Sequence, residues 1–334
     1  MAARKITFVD TTLRDGSHAV RHSFTEAQVA EIAGGLDKCG VELIELSHGD
    51  GLGGGSFTYG FSKVNEFKLM EAASSQIKNG KLTVLLLPGI GTIADLKEAQ
   101  KCGAKAVRVA THVTEADVSA EHIYAAKDMG MMAVGFLMMA HRAPVERIVE
   151  EAKKMESYGA DYVNVADSAG YLMPLDVKAR IEALKSELSI PVGFHAHNNM
   201  GMASANSLIA VQSGAEYVDG TLRGLGAGAG NAQIEVLAGI MKRNEIETGV
   251  DFYGLMDLAA EKVDPIMIRP QTIDNGSLML AYAGVYSSFL LHVYDAAKKY
   301  NLDPRDILVE LGRREMVGGQ EDMIIDVAHQ LSTK

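Results

Sequence analysis

Cysteine is nearly absent from this chain. Only Cys39 and Cys102 occur in 334 residues. Each stands directly before a glycine at what reads as a helix end, so neither a disulfide framework nor cysteine-based metal spacing is available, and both thiols read as packing groups. Long apolar runs are missing as well. Nothing approaches the roughly 18 residues that a membrane span needs, and the longest candidate, Met129 to Ala140, reads as a helix end running into a buried strand. The opening MAARKITFVDTTLRD holds no apolar core of the kind a secretory leader carries, so a cytoplasmic location is the expectation. Basic charge is the third shortage. Lys and Arg number 32 against 43 Asp and Glu, a formal net charge of −11. That balance disfavours nucleic acid and anionic membranes, either of which calls for a basic face. A small-molecule substrate or a protein partner fits it better.

Two cofactor signatures are lacking too. The glycine-rich stretches HGDGLGGGSFTYGF (48–61) and RGLGAGAGN (223–231) are followed by no Gly-Lys-Ser or Gly-Lys-Thr, so neither is a phosphate-binding P-loop. The second loosely evokes a dinucleotide fingerprint, but it follows the last strand of a repeat and no acidic residue ends a next strand, which disfavours nicotinamide. No lysine stands obviously at a strand end to form a Schiff base.

What is present begins with an internal repeat. A glycine that closes a helix precedes a short apolar strand at Gly40 (VELIEL), Gly80 (KLTVLLL), Gly103 (AKAVRVA), Gly130 (MMAVGFLMM), Gly159 (ADYVNVA) and Gly214 (AEYVDG). Most units are about 25–40 residues apart, the length of one strand–helix unit. KITFVDTTL at the N-terminus and IPVGFHAH around Pro191 complete eight strands, separated by helical patterns such as FTEAQVAEIAGGLDKC. Strands this continuously apolar belong to a parallel sheet covered by helices. Eight units in about 245 residues match a (β/α)8 TIM barrel better than an open doubly wound sheet. The expected division is a catalytic barrel over 1–249 and a helical C-terminal domain over 250–334.

In such a barrel the active site lies at the C-terminal ends of the strands. There the seventh strand places His195 and His197 two apart, on the same side, as a metal platform. An anionic third ligand is needed, and Asp15, just past the first strand in TTLRDGSH, is the strongest candidate. Asp10 is a rival that reads as lying inside the barrel. Asp167 and Asp219 end the sixth and eighth strands and read equally well as partners of loop backbone. Arg14 supplies a fixed cation for an enolate or keto-acid oxygen. His18 adds an imidazole, the general base whose ordinary titration range lies nearest neutral. Two imidazoles and a carboxylate with open positions suit Mn, Co, Zn or Fe.

With DTTLRDGSH, GFHAHNN and RGLGAGAGN in hand, the chain resembles the pyruvate-aldolase branch of the family that also contains 3-hydroxy-3-methylglutaryl-CoA lyase, isopropylmalate synthase and homocitrate synthase. The resemblance extends over essentially the whole chain. It departs from the synthases and the lyase at Ser17-His18, where they typically continue to glutamine, and from the lyase in the loop 224–231, which lacks the lyase's reactive cysteine. It implies metal-dependent cleavage of 4-hydroxy-2-oxopentanoate into pyruvate and acetaldehyde, in meta-cleavage degradation of aromatic compounds. Asp15, His195 and His197 would be the ligands of a divalent ion, Mn2+ first, with His195 also touching substrate. Arg14 would hold the enolate and His18 would take the 4-hydroxyl proton. Tyr286 would assist near the aldehyde, Ser168 would contact the pyruvyl carboxylate, and Leu85 and Leu87 would line the alkyl pocket. The resemblance also implies an acylating acetaldehyde dehydrogenase partner that receives the volatile product, with the apolar stretch Leu278 to Val293 as the contact. A Claisen-type synthase condensing a 2-keto acid with acetyl-CoA is the alternative on the same barrel, and a non-catalytic partner subunit is the alternative outside enzymes.

Overall fold

A computed structural model describes residues 5–333, so the first four residues of the expected barrel, which open the stretch read for a leader, and residue 334 lie outside the described residues. Eight parallel strands close into a barrel in chain order: β1 (Thr7–Leu13), β2 (Leu43–Leu46), β3 (Lys81–Leu86), β4 (Ala106–His112), β5 (Met132–Met138), β6 (Tyr162–Asp167), β7 (Val192–Ala196) and β8 (Tyr217–Gly220). Every neighbouring pair is parallel, and β1 against β8 completes the circle with Val9 opposite Asp219. Inside, Val9, Leu43, Val134 and Tyr162 form one layer and Leu85, Ala110, Phe136 and Ala166 another, nearer the strands' C-terminal ends. The larger apolar cluster lies between strands and helices. Both faces of the sheet are therefore buried, which is why the strands read as unbroken apolar runs.

Most of the repeat glycines do what their position suggests. Gly40, Gly103, Gly130, Gly159 and Gly214 follow helices with φ between 71° and 120°, a region open to glycine and costly for other residues. Gly80 is different. The helix before it ends at Gln76, and Gly80 sits in a turn where its N–H donates to Asp37 Oδ1 at 2.7 Å. An added Cβ there would meet the Val41 carbonyl at 2.9 Å. Close backbone approach, not helix termination, requires this glycine. Asp10 also departs from expectation: its register partner Gly220 faces Ile234 of the outer helix layer, and so does Asp10, which accepts from the Thr12 N–H and hydroxyl rather than entering the barrel.

Beyond the strands, the helix Phe252–Leu258 packs on the barrel's outer cluster through Leu255 and Leu258. Helices Asn275–Ala283, Leu290–Tyr300, Pro304–Arg313 and Met323–Ser332 have a core of their own, built on Leu280, Phe289, Val293, Ile307, Leu311 and Val327. Its contact with the barrel is polar and specific. The Gly284 carbonyl accepts from Arg142 at 2.7 Å and from His141 Nε2 at 3.0 Å. Ser287 donates to the Ser168 carbonyl at 2.7 Å, and Asn199 donates to Ser287 Oγ at 2.8 Å. These bonds bring residues 286–288 over the C-terminal mouth of the barrel. No helix among the described residues is long and apolar enough to cross a membrane.

Candidate active site

One pocket at that mouth is lined by Arg14, Asp15 and His18 from the turn after β1, Leu85 in β3 and Leu87 just past it, Ser168 just past β6, His195 in β7 and His197 just past it, and Tyr286 from the helical tail. The residues favoured in the sequence for catalysis, substrate or metal thus border the same space, whereas Asp10, Asp167 and Asp219 do not line it. Phe136, Met138, Gly49 and Asp50 fill the gaps between them.

The donor atoms of Asp15, His195 and His197 lie within 4.8 Å of one another. Asp15 Oδ2 and His197 Nε2 are 4.0 Å apart, too far for a hydrogen bond and suited to a cation that bonds each at about 2.0–2.2 Å. Asp219 Oδ2 accepts from His195 Nδ1 at 2.9 Å. With that proton fixed by an ionised carboxylate, Nε2 of His195 keeps its lone pair for the pocket, the usual arrangement behind a metal-bound imidazole. Burial pushes His197 down to about 4, against the opposing pull of Asp15, so it is neutral and able to ligate near pH 7. Burial alone would raise Asp15, but Arg14 and the surrounding imidazoles outweigh it and hold the carboxyl well below its ordinary range. Asn231 Nδ2 also donates to Asp15 Oδ2 and fixes its orientation. Two imidazoles and one ionised carboxylate make a donor set that suits a divalent ion.

A chain of alternating charges lies beneath these ligands. Arg14 Nε donates to Glu45 Oε2 at 2.9 Å, Arg108 donates to the same oxygen at 3.2 Å, and Arg108 reaches across to Asp219. Arg14 also donates to Asp15 Oδ1 at 3.1 Å. Arg108 is fully buried and lies 4.3 Å from the Phe136 ring centroid. Glu45 and Arg108 escaped the sequence reading, though a single charge inside an apolar strand was the available signal. From the sequence, Asp219 is at least as good a candidate for hydrogen bonding to loop backbone as for the metal. It is instead the link between Arg108 and His195. Asp167 does serve a loop, accepting from the N–H groups of Tyr171 and Leu172 at 2.8 and 3.1 Å.

His18 lines the same pocket as the ligand set. Its ring meets His22 edge-on at 5.1 Å, and His22 stacks on His48 at 4.0 Å. A Cβ on Gly49 would lie 2.6 Å from His18 Nε2 and 2.7 Å from His22 Cε1, so only glycine lets these rings converge there. Ser168 Oγ accepts the Met139 N–H at 3.0 Å, leaving its own proton free. The Tyr286 hydroxyl lies 3.9 Å from Met138 Sδ, and burial, with Asp50 nearby, pushes its ionisation far up.

Comparison with known proteins accords with this geometry. Residues 5–261 match the HMGL-like family and residues 271–333 match the DmpG-like communication domain. A protein of Moorella thermoacetica named 4-hydroxy-2-oxovalerate aldolase is 66% identical over 334 residues, covering 100% of this chain and 99% of its own. The chain belongs to the 4-hydroxy-2-oxovalerate aldolase family. A second aldolase of that name, from Geobacillus stearothermophilus, is 57% identical, with 99% of this chain and 97% of its own covered. Among solved structures, the carboxyl transferase domain of Rhizobium etli pyruvate carboxylase superposes with a TM-score of 0.84 at 18% identity over 98% of this chain and 60% of that one, a likeness of fold alone. Aldolases of this family depend on a metal, and Asp15, His195 and His197 are the candidate metal-binding residues here.

Proposed function

We propose that this chain is a metal-dependent 4-hydroxy-2-oxovalerate aldolase, a carbon–carbon lyase that cleaves 4-hydroxy-2-oxopentanoate into pyruvate and acetaldehyde. The observation that carries the reading is the convergence of Arg14, Asp15, His18, Ser168, His195, His197 and Tyr286 on one pocket. The high identity to aldolases of that name along the whole chain supports it over the Claisen-type alternative.

Asp15, His195 and His197 would hold the divalent ion, for which Mn2+ is our first choice. When bound, it supplies Lewis-acid polarisation of the 2-keto group. The chain's own groups do the rest. Ser168 donates to the pyruvyl carboxylate. His18 takes the proton of the 4-hydroxyl, the C3–C4 bond breaks, and its electron pair moves into the enolate of pyruvate. Arg14, kept in place by Glu45 and Asp15, stabilises the enolate oxygen with a charge that needs no reorganisation during the reaction. Tyr286, protonated at any working pH, donates towards the aldehyde oxygen. Leu85 and Leu87 pack the methyl group of acetaldehyde, and protonation at C3 completes pyruvate.

We assign 1–249 to the catalytic barrel and 250–334 to the helical part, with Phe252–Leu258 packed back on the barrel. The communication-domain match over 271–333 supports a protein partner at the tail. We propose an acylating acetaldehyde dehydrogenase, docking beside the exposed Leu278, Tyr282 and Leu291. A cytoplasmic place in the degradation of aromatic compounds fits this pairing. The test is pyruvate release from racemic 4-hydroxy-2-oxopentanoate by protein stripped with chelator and resupplied with Mn2+. Restoration by metal supports the reading. No release, with the dehydrogenase also present, overturns it.

A further inference from the structure

Two cavities flank the catalytic pocket, and their walls differ in character. One, of about 240 Å³, shares Leu87, Met138, Asp50 and Tyr286 with the pocket and is otherwise rich in apolar side chains such as Ile90, Val118 and Val317. The other, of about 480 Å³, joins the pocket through His18, Asp50, Ala227 and Ser287. Its wall carries two exposed arginines, Arg21 and Arg269, against the single carboxylate of Asp50. The chain as a whole carries a net charge of −11, which does not favour the approach of a carboxylate substrate. This wall is an exception.

We propose that the larger cavity is the entry port for the ionised 2-oxo acid, and that Arg21 is the cation that draws the substrate carboxylate in. The proposal rests on the aldolase reading above, which makes one substrate and one product anionic and the other product neutral. Three observations carry it. Arg21 has no ion-pair partner among the described residues, whereas Arg269 is partly neutralised by Asp274 at 3.9 Å. Arg21 and His18 also line the same cavity, so a carboxylate that passes Arg21 enters the space that His18 borders. Lastly, Arg21 and His22 both adopt left-handed backbone, each with φ 53°, which non-glycine residues rarely hold and which persists where surrounding contacts enforce it. Those contacts are present. His22 Nδ1 is 2.7 Å from Ser17 Oγ, its N–H donates to the Ser17 carbonyl at 2.8 Å, and its carbonyl accepts from Lys63 at 2.9 Å. The strained pair turns the chain so that His22 is buried and Arg21 is left on the port wall.

The experiment is steady-state kinetics of Arg21→Gln, Arg21→Glu and Arg21→Lys beside the unchanged protein, in Mn2+, across a salt series. At low ionic strength kcat/KM for 4-hydroxy-2-oxopentanoate should fall about threefold in R21Q and about tenfold in R21E, with kcat unchanged. R21K should stay near the unchanged protein, and all four should converge as salt screens the field. In the synthetic direction KM for pyruvate should rise with the same order, while KM for acetaldehyde stays level. Equal kcat/KM at low salt overturns the port, as does a loss shared by acetaldehyde or insensitive to salt. Absence of activity in the unchanged protein would count against the aldolase reading instead.

Discussion

Asp219→Asn isolates what the buried charge chain does for the metal site. Asp219 Oδ2 holds the Nδ1 proton of His195 at 2.9 Å and also receives Arg108. An asparagine keeps the shape, and its amide oxygen can stand where Oδ2 accepts from both groups, but it carries no charge to hold the Nδ1 proton of His195 or to balance Arg108. The neutral amide is the weaker acceptor, so the Nδ1 proton is held less firmly and Nε2 is presented to the metal for less of the time. Loss of such a supporting carboxylate weakens metal binding by about 10–100-fold, equivalent to about 1.4–2.7 kcal/mol. Stability should fall less than for a fully orphaned buried charge, by about 1–3 kcal/mol, because Arg108 keeps Glu45 at 3.2 Å. Calorimetric Mn2+ titration of the stripped protein reads the first quantity and urea denaturation the second. At saturating metal, kcat should recover to within about threefold, since the reacting groups are intact. Mn2+ affinity equal to that of the unchanged protein would refute the reasoning, because His195 would then need no partner to present Nε2.

Other changes probe the remaining parts. His18→Ala should lower kcat for pyruvate release by about 10²–10⁴-fold while leaving calorimetric Mn2+ affinity unchanged; a weaker metal site would place His18 among the ligands. Gly49→Ala puts a methyl group 2.6 Å from His18 Nε2, so activity should drop about 100-fold with a normal far-ultraviolet circular dichroism spectrum. Leu87→Ala should enlarge the alkyl pocket and raise the relative kcat/KM for longer aldehydes by about tenfold, measured by pairing each aldehyde with pyruvate. His141 gives a pH prediction. Burial, helped by Arg142 and Arg180, depresses it to about 4 despite its bond to Gly284. The unfolded chain therefore binds more protons from pH 6.5 down to about 4, and the contribution of His141 is complete above that window and lost as pH falls through it. The loss should be about 1.4 kcal/mol per pH unit and reach about 3 kcal/mol, seen as a urea-midpoint difference from His141→Gln that narrows on acidification.

Much of this architecture is legible because local and global preferences agree. A strand buried on both faces must be apolar at every position, and a helix closed by left-handed glycine must show that glycine, so the repeat that builds the barrel is written plainly. The His195–His197 pair is legible for a related reason: alternation along β7 places both rings on one side without help from the rest of the fold. Gly80 misled because its constraint comes from Asp37 and the Val41 carbonyl, 43 and 39 residues away in the chain. Glu45 and Arg108 were passed over because each stands alone in its strand, and only barrel closure makes them neighbours. Tyr286 was reached through resemblance rather than chemistry, since in its own segment it is one aromatic residue among many apolar ones.

That dependence on closure explains why so many charges are buried beneath a small pocket. Asp15 must stay ionised in a dry site to serve as a ligand, and desolvation alone would raise it. Arg14 opposes that rise, but a buried guanidinium is itself costly unless paired, and Glu45 pairs it. Glu45 then needs a second cation, Arg108, which needs Asp219, which ends the chain on His195. Each charge is stabilised by the next, and the series runs from the end of β1 through β2, β4 and β8 to the second ligand on β7. The network therefore adds less to net stability than its number of ion pairs suggests, since burying each member has its own desolvation cost. Its contribution is to fix the protonation and orientation of Asp15 and His195 before metal or substrate arrives. A change at any link should accordingly register in metal affinity before it registers in folding, and Glu45→Gln, though it contacts no ligand directly, should show the same order of effects as Asp219→Asn.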